Sequence, residues 1–186
     1  MNLRDRLIEL EACEAALEWV EDRPLDQAWL ECPRGDWLLW FLAATTTQKR
    51  FVATALAAAA QRVLRYVPKE DPVPGKTVEL VGAWSQEQPI TRAQLCEAAN
   101  LIGVYISTKH DRNSAFYAAN AVFHAAAYAA STTVYAIAVA NDVAVYVLHA
   151  IAAGDRVNYE VARLELADLV RATIPLESVQ AAMVGS

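Results

Sequence analysis

Arg34-Gly35-Asp36 is followed at once by Trp37-Leu38-Leu39-Trp40, so a guanidinium, a carboxylate and two indoles fall at the start of one apolar helical run. Asp36 suits a helix N-cap, because its carboxylate can accept from orphan backbone N–H groups, and Gly35 can supply a backbone geometry closed to other residues. Arg34 can pair with a carboxylate near the helix start while its stem packs over an indole. The tripeptide also matches the sequence read by integrins, but such recognition needs an exposed, flexible loop, and the apolar run behind it favours a structural role. Arg171 stands in Leu169-Val170-Arg171-Ala172-Thr173-Ile174-Pro175, near a helix end where a cation meets the negative pole of the helix. Buried charges are usually paired, so the functional alternative is that Arg34, Asp36 and Arg171 meet in one polar cluster beneath a binding surface.

Other chemistries find less support. His110 adjoins Asp111, while His124 and His149 stand in Ala-rich runs, and neither a His-x-x-x-His pair nor Cys at zinc-ligand spacing occurs. Both Ala-run histidines read as packed or hydrogen-bonded helix residues, although paired helices could bring them together. Ser107, Ser114 and Ser131 lack a Gly-x-Ser-x-Gly elbow, and Gly75-Lys76-Thr77 resembles the end of a phosphate-binding loop without its upstream glycine. No catalytic residue, metal or cofactor is assigned.

The elements that position these residues are helical. Leu10, Cys13, Ala16, Leu17 and Val20 form a stripe predicting an amphipathic helix over Glu9 to Glu21, with Glu11, Glu14, Glu18 and Glu21 outside it. Pro24 opens a short segment through Trp29 that ends before Pro33. A helix then runs from Asp36 through Trp40 and weakens at Thr45-Thr46-Thr47. Phe51 to Tyr66 carries the next helix, residues 68–75 a proline-rich loop, Lys76 to Trp84 a short helix, and Thr91 caps a helix over Arg92 to Thr108. Tyr117 and Tyr128, and again Tyr135 and Tyr146, are separated by about three turns and so share a face. Val134 to Leu148 is ambiguous: Tyr135, Ile137 and Val139 alternate with alanines and Asn141-Asp142 could turn a hairpin, but alanine favours helix. Gly154 is expected to stop that element before a final helix with Val157, Val161, Leu164 and Val170 inward. Small residues at Ala118, Ala121, Ala125 and Ala129 allow close approach of helix axes.

The expectation is an all-α fold: one compact, Ala-rich bundle of mostly antiparallel helices over residues 1–183, with 184–186 a tail or expression scar. A chain of 186 residues can bury a core without staples. Three dispersed cysteines, Cys13, Cys32 and Cys96, are expected as thiols in or near that core of a cytoplasmic protein. The formal charge of −6 opposes direct nucleic-acid binding and favours a basic partner. The start of the chain lacks an apolar signal region. Asn113 to Asn141 is uncharged and long enough to test for a membrane span, but its alanines and polar residues favour a buried helix.

Ala12-Cys13-Glu14-Ala15, Ala28-Trp29, Cys32-Pro33-Arg34-Gly35-Asp36-Trp37-Leu38-Leu39-Trp40 and Leu169-Val170-Arg171 with Ile174-Pro175 together resemble immunity proteins of the type-five-like class. That resemblance covers most of the chain, and the Trp-containing block is its specific part. Such families comprise all-helical proteins encoded in bacteria beside polymorphic toxins, and similar small helical proteins occur in phage genomes. The resemblance implies a non-enzymatic protein that neutralises a toxin or defence effector by direct binding. Glu11, Glu14, Glu18 and Glu21 are then candidate contacts if the partner is basic, though a solvated helix face accounts for them equally well. The alternative is a phage-type anti-defence protein that holds a small, nucleotide-like ligand in a bundle pocket, for which Arg, Tyr and His side chains should converge. A homo-oligomer is compatible with either.

Overall fold

Packing of α-helices around alanine-rich seams is the whole architecture. The structure, a computed structural model, describes residues 2–46, 48–108, 113–131 and 136–184. Among these there are eleven α-helices and no strand. They are α1 (Leu3–Glu9), α2 (Glu14–Val20), α3 (Leu25–Glu31), α4 (Gly35–Thr45), α5 (Lys49–Val63), α6 (Pro72–Ser85), α7 (Arg92–Ser107), α8 (Ser114–Ala130), α9 (Ala136–Asp155), α10 (Tyr159–Thr173) and α11 (Leu176–Val184), with a 3₁₀ turn over Leu64–Tyr66 after α5.

α8 and α9 form the most extensive helix pair, and α8 is also packed by α5, α6 and α7. Ala118, Ala121, Ala125 and Ala129 are all buried, so α8 has room to meet several neighbours closely. The connections before and after α8 are short, as antiparallel neighbours require. α9 continues the core onto α4 and α10, and Leu39, Leu42, Leu56, Ile151 and Leu166 are wholly enclosed there.

The structure revises several local expectations. The predicted Glu9–Glu21 helix is two helices, because Glu11 takes φ 57° and closes a Schellman turn on α1: Ala12 N donates to Leu7 O at 2.9 Å and Glu11 N to Ile8 O at 3.0 Å. The proline-rich loop is shorter than 68–75, since Pro72 and Pro74 lie in the first turn of α6, where a missing N–H costs no intrahelical bond. α9 runs through Asn141-Asp142, so that pair turns no hairpin; Val134 and Tyr135 lie outside the described residues. The Asn113–Asn141 stretch is interrupted by the end of α8 at Ala130. Residues 137–155 are long and apolar enough to cross a membrane by length and composition.

Gly154 does not end α9 and has no left-handed backbone; a Cβ there would fall 2.2 Å from the Tyr66 ring, so the glycine makes room for that side chain. The inward face of α10 is Ala162, Leu166, Ala167 and Val170, while Val161 and Leu164 are exposed, and α11 follows beyond Pro175. Only Cys32 is buried; Cys13 and Cys96 are exposed thiols. α11 takes the chain helically through Val184, and Gly185 and Ser186 lie outside the described residues.

A candidate binding cleft beside the tryptophan helix

The turn between α3 and α4 organises the site. Cys32 ends α3, Pro33 prevents its continuation, and Arg34 stands at the N-cap of α4 without a side-chain cap. Arg34 instead donates from Nε to Asp36 Oδ1 at 2.9 Å and from Nη2 to Oδ2 at 2.6 Å, a bidentate, charge-assisted pair. Its guanidinium carbon lies 4.3 Å from the centroid of the Trp37 ring. Asp36 therefore binds Arg34 in place of the backbone amides it was expected to cap. The hydrogen bond it donates to that carboxylate, opposed by desolvation, holds the Arg34 guanidinium pKa above its ordinary value.

Gly35 is required by close approach, since its φ is not positive. A Cβ at this position would fall 2.5 Å from Ala167 N and 2.6 Å from Leu166 C, so the backbone of α10 crosses directly over the start of α4. One turn further along α10, Arg171 donates to Cys32 O at 2.8 Å and Trp29 O at 3.4 Å, and to Asp168 Oδ1 at 2.6 Å. Arg171 thus caps the end of α3 and pins it to α10. Arg34, Asp36 and Arg171 do gather at one place, but through the Cys32–Arg34 turn and not by side-chain contact between the two arginines. The Cys32 thiol lies within that turn, 3.6 Å from Arg34 O, and burial pushes its pKa up against the pull of this hydrogen bond and of Arg171.

An open cleft of about 390 Å³ lies alongside. Asp36, Trp37 and Trp40 of α4 form one wall, Glu11, Ala12, Cys13 and Ala16 a second, and Asn141, Ala144 and Val145 of α9 the third. Both indoles are half-buried, packed against the core on one side and open to the cleft on the other. Trp37 also meets Trp19, with ring centroids 6.5 Å apart. Glu11 and Asp36 bring two carboxylates to the cleft. Glu14, Glu18 and Glu21 are exposed but do not line it, so the predicted acidic face is divided by the break between α1 and α2. The sequence marked Asn141 only as a possible turn residue and Val145 not at all, because only the packing of α9 on α4 brings them here.

The histidines serve other elements. His124 stacks on Tyr146 at 5.1 Å with Asp142 Oδ2 3.4 Å away; burial lowers its pKa and Asp142 opposes that shift. Nδ1 of His149 lies 2.8 Å from Val145 O, and its ring sits between Tyr117 and Tyr159. His110 lies outside the described residues. Among the described residues no group of three His, Cys, Asp or Glu side chains is placed to hold a metal ion. Compared with known protein families, curated proteins and solved structures, the chain matches none.

Proposed function

We propose that this chain is a non-enzymatic binding protein that neutralises a bacterial toxin or defence effector, and that a basic segment of that effector docks in the tryptophan cleft. The observation that carries this reading is the juxtaposition of Glu11, Asp36, Trp37 and Trp40 around one open cleft in a chain of net charge −6. A lysine or arginine entering from a partner gains a carboxylate and an aromatic face together, with Val145 and Ala144 offering apolar surface to its stem. Arg34 already makes this combination from within, bridging Asp36 and the Trp37 ring. Aromatic anchors at the centre of a cleft with charges at its edge are the usual composition of a binding hot spot.

The test is co-expression with the product of the adjacent gene, scoring growth rescue, followed by calorimetry on the purified pair. Trp40→Ala and Glu11→Lys should each weaken the complex by about tenfold or more, the second with a loss of salt dependence. Absence of any complex at micromolar concentration, with growth still arrested, would remove the reading.

A further inference from the structure

A second region places cations where the helix field disfavours them. Lys49 and Arg50 are the first two residues of α5, and Arg92 is the first of α7. Helix N-termini carry partial positive charge and favour carboxylates, yet neither α5 nor α7 has an acidic residue in its first turn. In α5, Gln48 supplies no side-chain cap either.

Two of these side chains meet at the end of α8, and Arg50 stands next to them in the chain, over an indole of α6. Arg92 Nε donates to Ala130 O at 2.9 Å, and Lys49 Nζ donates to Ser131 O and lies 3.3 Å from Ser131 Oγ. Arg50 lies over the Trp84 ring at 5.3 Å, and Trp84 packs in the same small apolar cluster as Ala130. Burial and then the charge of Arg92 draw the Lys49 ammonium below its ordinary pKa. Among the described residues none of the three is paired with a carboxylate. Arg62 and Arg65, beyond the middle of the same helix and in the turn after it, are by contrast bound to Glu165 and Asp155.

Capping the last carbonyls of α8 accounts for one donor from Lys49 and one from Arg92. It leaves the guanidinium ends of Arg92 and Arg50 without an anion, and the partial charge at the end of α8 offsets only a small part of three full cationic charges. Residues that contradict local propensity without a structural compensation are where binding sites are expected. We propose that Lys49, Arg50 and Arg92 form a binding site for a phosphorylated small molecule. Two guanidinium forks and an ammonium match the oxygens of a phosphate group, and the nearby helix starts favour the same charge. A nucleic-acid backbone is the poorer occupant, because it needs a stripe of cations and would meet the repulsion of a chain with net charge −6.

The site is separate from the tryptophan cleft, so the two readings fail independently. The probe is inorganic pyrophosphate, titrated calorimetrically into the full chain at low salt beside a single-stranded oligonucleotide. Wild-type protein should bind pyrophosphate at one site, with affinity falling about tenfold in Arg50→Gln and in Arg92→Gln. Arg4→Gln, on α1, should bind as wild type does. Arg50→Glu should abolish binding and raise the melting temperature of the ligand-free protein, because it places a carboxylate in the first turn of α5. Failure of the wild type to bind pyrophosphate overturns the proposal. So does an oligonucleotide that binds more tightly than pyrophosphate and loses that affinity in Arg50→Gln. A fall in melting temperature for Arg50→Glu would show the cations to be architectural and equally overturn it.

Discussion

At the start of α4, Arg34 is neutralised two residues away by Asp36 and covered by Trp37; at the start of α5, Lys49 and Arg50 have no such partner. Both helices begin with a cation where the helix field disfavours one. In the first the local sequence supplies the counter-charge, so the arginine belongs to the architecture. In the second nothing local supplies it, and a third cation arrives from α7. A charge answered by its neighbours therefore says little about function, whereas one left opposing its surroundings marks a place prepared for something else.

The largest test of that contrast is at Gly35. Its missing Cβ faces backbone atoms of α10 that cannot swing aside, so Gly35→Ala should cost about 3 kcal/mol in denaturant unfolding. At Gly154 the obstacle is the Tyr66 ring, a side chain able to turn, and Gly154→Ala should cost clearly less. Equal losses at the two glycines would mean that the start of α4 is no more rigidly built than other helix contacts.

The next effect compares the two arginines directly. Arg34→Gln leaves the half-buried Asp36 carboxylate without its bidentate partner and should destabilise by about 1 kcal/mol. Arg50→Gln removes a cation that opposes the helix field and should leave stability unchanged or slightly higher. Melting temperatures of the two variants in one buffer decide the matter; a larger loss from Arg50→Gln would erase the distinction between the regions.

Much of the fold was legible because helix signals are local. The apolar spacing, the Thr91 N-cap, the end of α4 at Thr45 and the small-residue face of α8 are all visible within a few turns of sequence. That Arg34 pairs with a carboxylate near the helix start and stacks on an indole was legible for the same reason, whereas the sequence marked Asp36 as a cap and not as that partner. The break at Glu11 was not, because a glutamate at φ 57° has none of the glycine signal that marks a Schellman turn. Gly35 was singled out, but for its backbone freedom; its actual use depends on Ala167, far away in the chain. The cleft wall from α9 and the meeting of Lys49 and Arg92 at the end of α8 likewise arise only when helices pack. Their residues are individually ordinary.

Acid should expose a third kind of charge, one hidden in the bundle and belonging to neither region. His124 has its pKa lowered below 6.5 by burial, so protons bind the unfolded chain in preference to the folded one. The associated stability is complete above the unfolded value and declines as pH falls through it toward the lower folded value. Unfolding measured across this range should show the decline in wild type and its reduction in His124→Phe, with the stacking on Tyr146 retained. A His124→Phe protein with the same acid slope would place that proton uptake elsewhere.

The smallest effect separates the cationic site from its scaffold. Glu87, between α6 and α7, holds φ 64° and closes a Schellman turn in which Gln88 N donates to Ala83 O at 3.1 Å and Glu87 N to Trp84 O at 3.2 Å. Relief of left-handed strain in Glu87→Gly exceeds the added freedom of the unfolded glycine, so the net gain should be about 0.5 kcal/mol. Trp84 lies just before this turn and Arg92 just after it, and both hold their places through contacts to Arg50 and Ala130 that the substitution leaves intact. The melting temperature should therefore rise slightly while pyrophosphate affinity stays constant. If affinity changed with the turn, the cations would be positioned by the α6–α7 connection, and their grouping around α8 would lose its significance.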